Sequence, residues 1–157
     1  MLPLHRDDAV DDSRLATIAQ VCLARRTQMA ARALTRHYNS RLKWLKVTAT
    51  QFAALVTIGG REGILVLELA EQLGTDATTL TRNVQLLEKR GWVVAEGGRG
   101  RGGKRLTLTA KGRAALKKAL DDWEQVNAEL VGKIGADQAR QGLQFLLAIE
   151  NAIGSEG

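Results

Sequence analysis

Residues 67–109 read LELAEQLGTDATTLTRNVQLLEKRGWVVAEGGRGRGGKRLTLT. The run 67–73 is short and apolar on one face, and Gly74 stops it as glycine does after a helix end. Asp76 is placed to cap a second helix, because its carboxylate accepts the free N–H groups of a first turn. That helix is expected from Ala77 to about Arg90, where Leu80, Val84 and Leu87 share one buried face. The other face carries Thr78, Thr79, Thr81, Arg82, Gln85 and Lys89, with no acid among them. Gly91 ends the helix.

Two helices joined by a tight turn, the second polar and basic, form the helix-turn-helix layout, whose second helix presents its first residues to base edges in a major groove. A solvated amphipathic helix would show the same face, so the residues after Gly91 discriminate between the two. Residues 92–96 and 105–109 are short runs rich in β-formers. Between them GGRGRGGK, residues 97–104, is too glycine-rich to pack and carries Arg99, Arg101 and Lys104. A hairpin tip with three cations suits a phosphate backbone or a minor groove. Helix, turn, helix and basic hairpin together predict a winged helix.

The same residues resemble the MarR family of bacterial transcription regulators. The matching pieces are Thr48-x-x-Gln51-Phe52-x-x-Leu55, Leu69-Ala70-x-x-Leu73-Gly74, Asp76-x-Thr78-Thr79-x-Thr81-Arg82, Leu87-Glu88-x-x-Gly91 and Leu108-Thr109-x-x-Gly112. They run in order, and the resemblance covers roughly residues 15–153. One departure stands out. Where the family's wing usually carries Asp-x-Arg, this chain has Gly100-Arg101-Gly102.

The chain has 157 residues, 45% of them hydrophobic, enough for one well-filled domain or two small lobes. No apolar run approaches the ~20 residues a membrane helix needs. MLPLHRDDAVDDS turns acidic where a signal peptide would need an apolar core. A single cysteine, Cys22, permits no internal disulfide, so a bacterial cytoplasm is the expected compartment. The net charge is +6 and the pI about 9.9. Its placement is more telling than its size. Residues 13–61 hold nine Lys or Arg and no acid before Glu62, residues 77–109 hold seven Lys or Arg against Glu88 and Glu96, and residues 110–157 hold more acids than bases.

Outward from the central stretch, residues 1–12 hold the only proline, Pro3, and four aspartates, and read as a loose arm. Residues 14–42 have no Pro or Gly and read as one long helix, with apolar stripes through Leu15, Ile18, Cys22, Met29 and Ala33 and through Leu34, Tyr38, Leu42 and Leu45. Thr48 and Gln51 form a capping-box pattern for a helix to Ile58 that turns Phe52, Leu55, Val56 and Ile58 inward. Ile64 to Val66 are expected as an edge strand. Beyond the wing, a long helix from Ala110 to about Gly132 and a last one over residues 138–153 carry Leu116, Leu120, Trp123, Leu130 and Ile134, then Leu143, Leu146, Leu147 and Ile153.

The expected class is mainly α with a minor β part. A winged-helix domain spans 48–109 with its wing at 92–109, and residues 13–47 and 110–157 form a helical dimerisation region. The resemblance implies that the terminal helices pair with those of a second copy. It further implies double-stranded DNA as partner, read by Thr78, Thr79, Thr81, Arg82, Gln85, Lys89, Arg99, Arg101, Lys104 and Arg105. It also implies a small, often aromatic, anionic effector in a cleft between lobes, for which Arg25, Arg26, His37 and Trp44 are the candidate contacts. A repressor role on a pseudo-palindromic operator completes the expectation.

Other chemistries are weaker. Gly98-x-Gly100-x-x-Gly103 matches a dinucleotide-binding pattern, with Asp121 and Asp122 about 20 residues on, but a strand rather than a helix follows it. The same turn resembles a single arginine-glycine RNA-binding tract. His5, His37 and Cys22 lack metal-ligand spacing, no nucleophile has a paired base in a recognisable motif, and no cofactor is expected. Cys22 has two readings: a small core residue, or a peroxide-sensing thiol of the kind one branch of the family carries near the start of its first helix, with Arg25 and Arg26 favouring thiolate.

Overall fold

The computed structural model describes residues 11–98 and 103–154, so Arg99, Arg101, His5 and most of the expected N-terminal arm lie outside the described residues. Among the described residues, seven α-helices and three short strands follow in order: α1 (Asp12–Val21), α2 (Leu23–Arg41), α3 (Ala49–Gly60), β1 (Ile64–Leu65), α4 (Val66–Gln72), α5 (Ala77–Lys89), β2 (Val93–Gly97), β3 (Lys104–Leu108), α6 (Ala110–Ile134) and α7 (Ala136–Gly154). A 3-10 turn, Lys43–Leu45, separates α2 from α3. By contacts the chain divides into residues 1–37 and 38–157.

In the first unit, the expected single helix is two. Cys22 adopts φ −67° and ψ 109°, an extended conformation that ends α1. Cysteine is a modest helix former, and the break leaves carbonyls of the last turn open. The Arg25 side chain supplies one donor, its Nη1 donating to the Ala19 carbonyl at 2.6 Å. Helix also begins earlier than expected, at Asp12, because the Asp11 carboxylate accepts from the Ser13 amide at 2.9 Å.

In the second unit, Thr48 and Gln51 close the capping box at the start of α3, each side chain accepting from the other's amide at 3.2 Å. The helix runs two residues past Ile58. Phe52, Leu55 and Ile58 are buried as expected, but Val56 is 40% exposed and Ala54 takes the buried position. The sheet is antiparallel in the order β1-β3-β2, so β1 is an edge strand. Trp92 precedes β2 instead of opening it.

Two apolar clusters hold this unit together. One joins Leu55, Ile58, Ile64, Leu69, Leu80, Leu87 and Leu106 beneath α3, α4, α5 and the sheet. The other joins Leu42, Val47, Phe52 and Ala119, and Trp92 and Leu116 pack against both. Burying each leucine removes about 1.5–3 kcal/mol worth of apolar surface from water. Thr109 caps α6 by accepting from the Gly112 amide at 2.9 Å. Gly112 has no substitute here, since a Cβ at that position would sit 2.0 Å from the Trp92 carbonyl oxygen.

The terminal elements behave differently. α1 and α7 have no buried residue. Gly135 alone separates α6 from α7, with φ 96°. Among the described residues, no helix is long and apolar enough to cross a membrane.

Candidate nucleic-acid interface

The turn between α4 and α5 is built from Gly74 and Asp76. Gly74 has φ +57°, where a Cβ would be strained, and the Thr75 amide reaches back to the Ala70 carbonyl at 3.0 Å. The Asp76 carboxylate accepts from the Thr79 amide at 2.7 Å and so starts α5. Hydrogen bonds from the Thr79 side chain and amide hold this carboxyl below its ordinary value.

Leu80, Val84 and Leu87 anchor α5 from beneath. This fixes the opposite face. Thr78, Thr79, Thr81, Arg82, Gln85 and Lys89 are all exposed. Ala77, Thr78, Thr81, Arg82 and Gln85 border one shallow depression on that face. The Thr81 hydroxyl donates to the Ala77 carbonyl at 2.7 Å, so toward a ligand it is an acceptor. Arg82 and Gln85 make no side-chain bond within the described residues and are open to an outside partner.

The sheet brings the wing beside this face. Lys104 opens β3 and shares a groove with Thr81, Gln85, Glu88 and Val66. Arg105 lies directly across from Glu96 in the β2–β3 register, and its Nη1 donates to the Gly63 carbonyl at 3.2 Å, which ties β3 to the loop before β1. Arg99 and Arg101 lie outside the described residues.

Two residues enter the site that pattern reading did not single out as such. Asn83 is half-buried on α5, donates to the Thr79 carbonyl at 3.1 Å, and accepts from Gln51 Nε2 at 3.3 Å. Gln51 is 95% buried on α3. A polar bridge therefore runs from α3 to α5. Asn83 lies four residues after Thr79, the spacing at which a side chain meets a carbonyl of the preceding turn, but its partner on α3 is 32 residues away.

The sequence model of the MarR family matches residues 45–102. The transcriptional regulator MosR of M. tuberculosis is 36% identical, with 85% of this chain and 98% of that chain covered and a TM-score of 0.73. The chain belongs to the MarR family. Its fold also matches MosR in complex with DNA (36% identity, 84% and 98% covered, TM-score 0.70) and wild-type apo MarR from E. coli (29% identity, 80% and 94% covered, TM-score 0.65). No curated protein matches the chain. It is a MarR-family transcription regulator with a winged-helix fold, in which α4 and α5 are the helix pair and β2–β3 the hairpin.

A cavity of about 380 Å³ opens beside α3 in this family member, lined by Tyr38, Ala49, Phe52, Ala53, Val56, Thr57, Leu120 and Trp123. The exposed Val56 belongs to this lining. No charged side chain does. The Tyr38 hydroxyl donates to Asn127 Oδ1 at 3.2 Å, and burial raises its pKa above the ordinary phenol value. Trp44, an expected effector contact, is outside this lining and lies beneath Lys118, whose Nζ is 4.0 Å from the ring centroid. Arg25, Arg26 and His37 belong to the first unit, on α2. Cys22 is partly exposed at the break between α1 and α2.

Proposed function

We propose that this regulator binds a pseudo-palindromic operator as a homodimer and acts as a repressor that a small organic molecule releases. The observation that carries the reading is the exposed face of α5, where Thr78, Thr79, Arg82 and Gln85 stand open with Lys104 alongside. Arginine and glutamine reach base edges bidentately, and threonine suits phosphate or base contact. The solved DNA complex of MosR supports the same partner. Arg99, Arg101, Lys104 and Arg105 act mainly by charge against the backbone.

The dimer rests on surplus apolar surface. Leu15 and Ile18 are 50% and 58% exposed, and Leu143, Leu146 and Ile153 are 65%, 42% and 66% exposed. Exposed apolar residues at helical spacing suit a protein interface, and a two-fold pairing would put half-sites about one helical turn apart.

The effector reading rests on the cavity beside α3. Its aromatic and aliphatic lining fits a ring, and an acid group on that ring would take its cation from outside the lining. Arg25, Arg26, His37 and Trp44 are the effector contacts that the family resemblance implies, and replacing each in turn tests them. Oxidation of Cys22 is the rival reading, favoured by its partial exposure at a helix break.

A mobility-shift titration on DNA upstream of the regulator's own gene tests the proposal. Discrete, salt-sensitive binding by wild type is expected, and its absence on every selected duplex would overturn DNA reading. The complex is then challenged with a salicylate-like acid and with organic hydroperoxide, for wild type and Cys22→Ser. Acid-driven release of both proteins supports the cavity. Peroxide-driven release of wild type alone assigns the switch to the thiol.

A further inference from the structure

Two connections meet at one corner of the second unit. The 3-10 turn Lys43–Leu45 leads through Lys46 into α3, and Thr109 leads out of β3 into α6. Lys46 has φ 52° and ψ 37°, the one non-glycine positive φ among the described residues. That conformation is strained for a side chain, so something must hold it. Arg90, the C-cap of α5, does: its Nη1 donates to the Leu45 carbonyl at 3.2 Å and its Nη2 to the Lys46 carbonyl. The same guanidinium lies 5.1 Å over the Trp92 ring. The Trp92 carbonyl in turn accepts from the Thr109 amide at 3.0 Å, which sets the first turn of α6 beside it.

These groups surround a cleft of about 270 Å³ lined by Leu45, Lys46, Arg90, Trp92 and Lys111. Three of the five are cations. Among the described residues, none of the three has a carboxylate partner. Arg90 spends two donors on carbonyls and keeps others for a ligand. The amides of Ala110 and Lys111 are first-turn donors of a 25-residue helix and have no intrahelical acceptor. Three like charges around a small opening repel one another until a counter-charge enters.

We propose that this cleft binds a phosphate-class oxyanion, held by Lys46, Arg90 and Lys111 at the N-terminus of α6. The site is distinct from the proposed base readers: Thr78 and Arg90 are about 18 Å apart along α5 at the helical rise. An anion here braces the C-terminal end of the reading helix against the 3-10 turn, because Arg90 contacts both. A DNA backbone phosphate and a free phosphorylated small molecule share this chemistry.

Inorganic phosphate serves as the probe, added to the full chain at ionic strength held constant with chloride. The variant is Lys46→Gln combined with Lys111→Gln, both exposed, with Arg90 left intact to keep the turn in place. Circular dichroism checks its fold. Phosphate should raise the wild-type melting temperature saturably by about 2–4 °C, and the variant should lose most of that rise. No rise in wild type, or an equal rise in both, would overturn the proposal. The salt dependence of operator binding in phosphate-free buffer then separates the sources. A variant slope shallower by about two charges assigns the cleft to the DNA backbone. An unchanged slope, with phosphate altering operator affinity only in wild type, assigns it to a free anion. The thermal readout needs no operator, so failure of the DNA reading would leave it interpretable.

Discussion

The stretch from α3 to β3 closes its core within one chain, whereas α1 and α7 close nothing. In the first region Leu55, Ile58, Leu69, Leu80, Leu87 and Leu106 are at most 1% exposed. In the second, Val21, Leu143, Leu147 and Ile153 are each more than half exposed. The same kinds of residue at the same helical spacing thus serve two ends. Where short helices cross a sheet, apolar faces meet inside one subunit. Where the terminal helices meet no such partner, the same kinds of face stay exposed, which is the basis of the proposed pairing. The contrast predicts that substitutions in the first region act on stability and those in the second on assembly.

Leu146→Glu should have the largest effect. It places a charge on the α7 face proposed to pair, so the chain should sediment as a monomer and lose tight operator binding. A dimer of unchanged mass would break the contrast. Leu87→Ala should act the other way, lowering stability by about 2–5 kcal/mol in denaturant titration through a cavity under α5 while the folded fraction keeps its assembly state. Arg82→Ala comes next, costing about 1–3 kcal/mol on the specific site and little on random DNA. Equal losses on both would move Arg82 to a phosphate role.

Asp76→Ala should be the mildest and pH-dependent. The carboxyl is held below its ordinary value of 3.8 by Thr79. A depressed folded-state value means that the cap contributes stability in full above the unfolded value and loses it as pH falls through the folded one. The stability gap between wild type and variant should therefore be constant near neutrality and shrink below about pH 4. A gap that persists at lower pH would assign the cap's contribution to something other than the carboxylate.

Local devices were legible in the residues alone. Asp76, Gly74 and the Thr48–Gln51 box act over three or four positions, and the strands fell within one or two residues of the β-forming runs. What escaped was decided at long range or by side-chain competition. The break at Cys22 has no Pro or Gly to announce it, and its stabilising contact comes from the Arg25 side chain. Val56 reads as core by spacing, yet it borders a cavity. Phe145, 49% exposed on α7, lies off the helical stripe of Leu143, Leu146 and Leu147. In the candidate site, the exposed face of α5 followed from periodicity, but the Gln51–Asn83 bridge and the Arg90 grip on Leu45 and Lys46 span 32 to 45 residues.

The central claim is that two copies of this chain act together on DNA. Sedimentation of wild type with a selected operator duplex, read for mass, tests it most directly. The account predicts a dimer in free solution and two chains on a duplex bearing two half-sites. A folded monomer at micromolar concentration that binds the duplex singly with undiminished affinity would contradict it.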